Sequence, residues 1–163
     1  MVRISDILKR FKDIADLHPS INSFGSGPLY DINQEIKYFP YLYVITDDTH
    51  LINYTEDNGY KSVEYSFTLR VGDKVNDQPG YLGQMGIGSN NGLDILSSTF
   101  TILLDIINTI SEDSLKMFSD VKVIDDITVE PFFNEDSSNV NGNQATITLK
   151  VKNDKICINP LTA

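Results

Sequence analysis

Apolar and polar residues alternate along this chain with two different periods. Near the N-terminus, apolar residues recur at steps of three and four with charged residues between them, which is typical of an amphipathic helix. The apolar residues of this segment are Ile4, Ile7, Leu8, Phe11, Ile14 and Ala15. We expect the helix to end at His18, because Pro19 disfavours helical geometry in the residue that precedes it.

A period of two predicts strands further along. The clearest strand is predicted at residues 60–71, where apolar and polar residues alternate from Ser62 to Val71. The near-continuous apolar run 38–45 predicts a strand buried on both faces, with Pro40 at its start or on a sheet edge. Residues 21–32 contain glycines and a proline among apolar residues, and this predicts a strand interrupted by a turn.

A second helix is predicted at residues 93–110, with Asn90 or Asn91 as its cap. One apolar stripe consists of Leu93, Leu96, Phe100, Leu103, Leu104, Ile107 and Ile110. Ile95, Ile102 and Ile106 lie to one side of this stripe, so the apolar surface is wider than one sheet contact requires. We expect these three isoleucines to face a neighbouring subunit, with a central core helix as the alternative.

The end of the chain predicts a long hairpin. Two β segments, 121–133 and 144–152, flank residues 134–143, where Asn141 and Gly142 tolerate positive φ. The order of helix, strands, helix and hairpin predicts one α+β domain over residues 1–163. In this fold an antiparallel β-sheet of mixed-length strands has two helices packed on one face.

A loop with six glycines is predicted at residues 72–92. A loop of this length suggests a functional role. Its apolar residues are the candidates for docking contacts with a partner, and these are Tyr81, Leu82, Met85 and Ile87.

Charge excludes several classes of partner. The formal net charge is −10, and the 13 Lys and Arg residues form no basic run. Such a chain repels nucleic-acid backbones and anionic lipid, so we expect neither DNA reading nor membrane adhesion. Asp94, Asp105 and Asn108 argue against a membrane span in the second helix. The lone Cys157 fits a reducing compartment and is expected to be a small buried hydrophobe.

No catalytic, cofactor or metal site is predicted, and we expect no enzyme activity. His18 and His50 belong to no metal or catalytic motif. The acidic pairs at 47–48 and 125–126 lack the spaced ligands of a calcium loop. The glycine-rich stretch 83–88 is followed by no lysine, which a phosphate-binding loop would have.

Tyrosines are more numerous than a core of this size needs, and tyrosine is enriched at protein interfaces. The residues concerned are Tyr30, Tyr38, Tyr41, Tyr43, Tyr54, Tyr60 and Tyr81. This composition favours a protein-binding surface.

Three segments carry a resemblance to a known family. The segments INSFGSGPLYDI (21–32) and YFPYLYV (38–44), with the helical segment 93–107, resemble the tail terminator or tail completion family of tailed bacteriophages. The resemblance implies a virion ring at the head–tail neck or connector, usually a hexamer, that terminates the tail and docks neighbouring rings. It implies no cofactor and assembly in the host bacterial cytoplasm. A twelve-fold connector ring of a short-tailed phage is the alternative within this class.

The implied partners are further copies of this chain and the adjacent neck, connector and tail proteins of the phage. Genomic DNA would only pass through an acidic lumen. Two other classes stay open at this point. One is a non-virion cytoplasmic assembly adaptor or chaperone, and the other is a small ligand-binding or hydrolase domain.

Overall fold

Two helices and seven strands make up the fold in a computed structural model that describes residues 3–32, 36–46, 51–57, 60–75, 91–114, 121–124, 126–133 and 139–153. The helices are α1 (Ile4–Leu17) and α2 (Gly92–Ser114). The strands are β1 (Ser23–Gly27), β2 (Tyr41–Ile45), β3 (Leu51–Asp57), β4 (Tyr60–Lys74), β5 (Val121–Ile124), β6 (Val129–Phe133) and β7 (Val140–Asn153). A 3-10 turn (Leu29–Asp31) follows β1.

The two longest strands form the centre of the sheet. β4 and β7 are antiparallel and pair from Lys61 with Asn153 to Lys74 with Val140. On the far side of β4 lie β2 and β3, and on the far side of β7 lie β5 and β6. All these pairs are antiparallel, while β1 adds to β2 as a parallel outermost strand.

Both helices cover one face of this sheet. Alternate residues of β4 and β7, including Phe67, Leu69 and Ile147, are buried in a core with residues of α1 and α2. The Phe11 ring meets the Phe67 ring edge-on at a centroid distance of 5.7 Å, which joins α1 to β4. α1 contacts β1 and β2, and α2 contacts β4, β7 and β5. The predicted α+β fold, with two helices on one face of a mostly antiparallel sheet, is confirmed.

The opposite face of the sheet is apolar at one end and polar elsewhere. The chain between β1 and β2 covers the apolar end, where Tyr41 and Tyr43 are buried with Phe132. The Tyr43 hydroxyl donates to the Pro28 carbonyl at 3.0 Å, which fastens this segment to the sheet. Further along, Thr68 and Thr146 hydroxyls lie 2.9 Å apart across the central strand pair. The polar residues of the alternating pattern therefore face away from the helices, as their period predicts.

Most predicted elements occur close to their expected bounds. α1 ends before His18 and Pro19, β2 begins directly after Pro40, and all five residues of β2 are buried. The carbonyl of Asn91 accepts the first helical hydrogen bond of α2 from Ile95 at 3.0 Å. The segment 121–133, expected as one strand, instead forms β5 and β6 on the same edge of β7.

The first residues of the predicted glycine-rich loop belong to a strand instead. β4 continues to Lys74, so Gly72 is a buried strand residue paired with Gly142, and Val75 is also buried. The four apolar candidates of this loop lie outside the described residues, and these are Tyr81, Leu82, Met85 and Ile87.

The hairpin turn also differs from the prediction. Asn141 and Gly142 belong to β7 and pair with Asp73 and Gly72 of β4. Among the described residues of this segment, Asn139 has a positive φ of 58°, directly before β7. Asparagine tolerates this left-handed conformation better than most residues.

Candidate assembly surface

The rotation of α2 about its axis decides which of its apolar residues are exposed. The side chains of α2 that are buried against the sheet and α1 are Ile95, Thr99, Ile102, Leu103, Ile106, Ile107 and Ile110. Ile106 has no exposed surface. This burial contradicts the prediction that Ile95, Ile102 and Ile106 face a neighbouring subunit. The alternative, a core helix, is correct for that side of α2.

The opposite edge of the apolar arc is left uncovered. Leu93 is 56% exposed, Phe100 is 43% exposed and Leu104 is 39% exposed. At about 100° per residue these three side chains lie within about 40° of one another around the helix axis. They form a stripe over three turns of a rigid helix, so the surplus apolar surface that the sequence predicts exists, but on the other edge.

A buried polar bridge between α2 and β7 is consistent with this rotation. The Asn143 side-chain amide donates to the Leu96 carbonyl at 2.8 Å and to the Thr99 hydroxyl at 2.9 Å. The Thr99 hydroxyl donates in turn to the Ile95 carbonyl at 2.7 Å. Since buried polar groups need such partners, turning α2 by one residue would break the whole set. The pattern of apolar residues gives no sign of this bridge, because it counts Thr99 as a polar, outward-facing position.

A contact between His18 and α2 shows which way the exposed edge of α2 faces. His18, at the end of α1, accepts the Ser20 N–H through Nδ1 at 3.2 Å, and its Nε2 lies 3.7 Å from Asp105 Oδ2. Asp105 therefore marks the side of α2 next to α1. Phe100 and Leu104 lie about 100–140° further around the helix, on the side of β5 and β6.

Phe133 extends this surface at the end of β6. It is 55% exposed. Val129, four residues earlier in the same strand, packs against the helix-covered core. Because side chains of a strand return to the same face every two residues, Phe133 also lies on the helix side of the sheet. We call Leu93, Phe100, Leu104 and Phe133 the α2 surface.

A second group of exposed apolar residues lies around β1. Tyr30 is 77% exposed, Tyr38 is 67% exposed and Leu29 is 40% exposed. We call these three residues the β1 surface. Of the tyrosines that favour a protein-binding surface in the sequence, Tyr30 and Tyr38 are exposed. Tyr41 and Tyr43 instead lie in the core.

One cavity of about 310 Å³ lies where the chain leaves β5 and enters β6. It is lined by Ile124, Asp126, Thr128, Glu130, Gln144, Ala145, Thr146 and Thr148. Its chemistry is that of hydroxyls, one amide and two carboxylates, and among the described residues no histidine or cysteine lines it. Such a set can accept hydrogen bonds from a cationic or hydroxylated group.

Several residues considered in the sequence for chemistry lie outside the part of the chain that the structure covers. These are His50, Cys157, Asp125, the pair at 47–48, the stretch 83–88, and the tyrosine Tyr81. Within residues 3–32, 36–46, 51–57, 60–75, 91–114, 121–124, 126–133 and 139–153, no three His, Cys, Asp or Glu side chains are grouped so that they could hold a metal ion.

One carboxyl in the central strand pair has a shifted pKa. Partial burial raises the pKa of Asp73 above its ordinary value, against the opposing effect of a 2.7 Å hydrogen bond from the Lys74 N–H. A raised pKa in the folded state means that the fold favours the protonated form of the Asp73 carboxyl over the ionised form. The stability that Asp73 contributes is therefore fully present below its unfolded pKa and is lost as the pH rises through its folded pKa.

Residues Gly92–Ser111 are long and apolar enough to cross a membrane, with a mean hydropathy of 1.5. The same helix packs one face against the sheet through side chains such as Ile102, Leu103 and Ile106. A core helix of a sheet protein meets these length and hydropathy criteria equally well.

Comparison with known proteins assigns this chain to no family. No protein-family model matches the chain, and no curated protein matches it.

Proposed function

We propose that this chain is a structural assembly protein whose copies join through the α2 surface into a closed ring, and that the ring belongs to the head–tail junction of a tailed bacteriophage. The observation that carries the self-assembly is the stripe of Leu93, Phe100 and Leu104, left exposed on a helix whose other apolar side is covered. In this role the ring terminates or completes the tail and docks the neighbouring neck, connector and tail proteins.

The energetics of the stripe favour a protein partner. Burying a large apolar side chain completely returns about 1.5–3 kcal/mol, and association would return part of this for each of the three half-exposed side chains of the stripe. These side chains project from a regular helix that also carries part of the core, so little backbone freedom remains to be lost on association. A closed ring uses the same contact at every subunit boundary and leaves no apolar surface open.

The bacteriophage assignment is supported by where the resembling segments lie. Residues 21–32 and 38–44 form β1, the 3-10 turn and β2, while 93–107 lies within α2. The exposed residues of the β1 surface and three of the four in the α2 surface thus come from the resembling segments. With a net charge of −10 per chain, a ring of these subunits would let DNA pass without retaining it.

The double substitution Phe100→Gln/Leu104→Gln is expected to weaken self-association by about tenfold or more. Phe100 is 43% exposed and Leu104 is 39% exposed, so burying the rest of each side chain returns about 0.6–1.2 kcal/mol, and 1.4 kcal/mol corresponds to tenfold in affinity. Glutamine is a good helix former, so α2 itself should persist. Native mass spectrometry over a concentration series should show the wild-type oligomer and, at the same concentrations, mostly monomer for the variant.

The matched control is Ser98→Gln/Thr101→Gln, which places the same residues at exposed positions about 60–120° around the same helix from Leu104. This control should assemble like the wild type. A wild type that stays monomeric at every concentration would contradict the proposal, and so would a Phe100→Gln/Leu104→Gln variant that assembles normally.

Location in the particle separates this proposal from a cytoplasmic assembly adaptor. A ring at the head–tail junction stays in the finished virion, so mass spectrometry of purified particles should detect the chain. An adaptor would be absent from them.

A further inference from the structure

The cavity between β5 and β6 opens on the face of the sheet away from the helices. We infer that this cavity is a binding site for a small organic cation, one that carries an alkylammonium or guanidinium group. The inference is independent of the proposed self-assembly, because the α2 surface belongs to the side of the sheet that the helices cover.

The floor of the cavity is formed at a gap in the strand pairing along β7. β5 pairs with β7 as far as Thr148, and β6 resumes the pairing at Ala145. Among the described residues, neither strand pairs with Thr146 or Ile147. Ala145 lines the cavity although its side chain is buried in the core on the helix side. The backbone of β7 is therefore part of the cavity floor.

The side chains around the cavity are rich in hydrogen-bond acceptors. Glu130 of β6 is paired with Gln144 of β7, next to the pair that faces the helices, so both side chains belong to the opposite face. Asp126 and Thr128 come from the connection between β5 and β6. An ionised carboxylate only accepts hydrogen bonds, and amide and hydroxyl oxygens accept as well. The lining therefore favours a ligand whose polar group donates.

Two hydroxyls of the lining are held in place by the neighbouring strand. The Thr146 hydroxyl lies 2.9 Å from that of Thr68, and the Thr148 hydroxyl lies 3.2 Å from that of Ser66. Each pair uses one hydroxyl hydrogen between its two oxygens, which leaves more acceptor than donor positions. This wall of the cavity is thus both fixed and acceptor-rich.

No ion pair among the described residues neutralises the two carboxylates of the cavity. The ion pairs in that part of the chain join Lys12 with Asp16, His18 with Asp105, and Lys150 with Glu64. The Lys150 ammonium, which lies on the same face of β7 as the cavity, is 3.8 Å from Glu64 and belongs to that pair. A cationic group in the cavity would form charge-assisted hydrogen bonds with Asp126 and Glu130, and such bonds are stronger than neutral ones.

The size of the cavity restricts the ligand. A volume of about 310 Å³ lies at the lower end of the range for small-molecule pockets. Such pockets are usually lined mainly by apolar side chains, whereas Ile124 is the one large apolar residue among the described lining. A diamine, or the end of a lysine or arginine side chain from a partner protein, has the required charge and little apolar surface.

Nuclear magnetic resonance of the 15N-labelled protein tests the site with two probes. The protein is titrated with 1,4-diaminobutane and, separately, with N-acetyl-arginine amide. We expect saturable shifts of the lining amides, such as those of Thr128 and Gln144, with at least one probe. Binding of the diamine alone identifies a free diamine as the source, and binding of the arginine derivative alone identifies a basic side chain. Binding of both supports the shared chemistry.

Three variants show whether the cavity itself is responsible. Asp126→Asn/Glu130→Gln should weaken the affinity by about tenfold or more, because two charged acceptors become neutral. The matched control, Asp16→Asn/Asp105→Asn, removes the same charge from exposed carboxylates on the helix side. Its affinity should stay within about twofold of the wild type, since salt screens distant charges. Thr128→Phe keeps both carboxylates but fills part of the cavity, so it should also weaken binding.

Several results would overturn the inference. One is the absence of saturable shifts with both probes. Another is an equal loss of affinity in Asp126→Asn/Glu130→Gln and in its control, which would show attraction to the net charge of −10 alone. Wild-type affinity in Thr128→Phe would contradict the location. The amide spectra show that each variant keeps its fold, and none of these results bears on self-assembly through the α2 surface.

Discussion

Gly142→Ala should destabilise the fold by about 3 kcal/mol or more, because large effects arise where a substitution forces backbone atoms to move. Gly142 pairs with Gly72 in the central strand pair. A Cβ atom at Gly142 would overlap the Val71 carbonyl oxygen and would come within 2.8 Å of both the Gly72 Cα and the Phe132 ring. Two of these three neighbours are backbone atoms of β4. They cannot withdraw without opening the strand pair on which both helices pack. Urea denaturation followed by circular dichroism measures the loss.

Gly72→Ala is the matched comparison, since it adds the same methyl group one strand away. The three atoms nearest to its Cβ would all belong to the Tyr41 side chain, with the hydroxyl oxygen at 2.6 Å. The end of a side chain can shift more easily than a backbone carbonyl, so we expect a smaller loss of stability. Equal urea midpoints for Gly142→Ala and the wild type would show that the close approach of β4 and β7 is wrong.

Phe67→Ala should cost about 3–5 kcal/mol, as large-to-small changes of buried aromatic residues do. Phe67 has no exposed surface. It meets the Phe11 ring of α1 edge-on and the Tyr65 ring in a stack at 6.5 Å. Truncation leaves a cavity between α1 and β4 that neither rigid element can close. The melting temperature and the urea midpoint should therefore both fall sharply.

Tyr30→Ala serves as the control for Phe67→Ala. It removes an aromatic ring of similar size from a surface position, and surface substitutions usually change stability by less than about 0.5 kcal/mol. A loss below about 1 kcal/mol for Phe67→Ala would contradict the position of α1 over the sheet, since cavity creation at a filled core site costs more than this.

The fold could be predicted where one face of an element is buried and the other is solvated. α1 and β4 show this pattern clearly, and the structure places both as expected. The pattern of apolar and polar residues does not predict β3, because the residues of this strand do not alternate cleanly. In the sequence, the Asn-Gly dipeptide at 58–59 is the local signal that favours a hairpin turn.

For the candidate site, the sequence predicts that α2 has more apolar surface than the core can cover. It does not predict which edge of the helix stays exposed. The apolar arc of α2 spans about 200° at 100° per residue, and the sheet and α1 cover about 140° of it. Which edge stays exposed depends on the bridge from Asn143 to Thr99, a contact between residues 44 positions apart in the chain. Helical periodicity describes one helix alone, so it cannot predict which edge of α2 faces solvent. The β1 surface, in contrast, was signalled by tyrosine content, although Tyr41 and Tyr43 turned out to serve the core.

Electron microscopy of the purified wild-type protein tests the central claim most directly. At concentrations where native mass spectrometry shows the oligomer, class averages should show closed rings with a central opening and a fixed number of subunits. Phe100→Gln/Leu104→Gln should give no rings under the same conditions. Isolated subunits, twofold dimers or open filaments in place of rings would contradict the account.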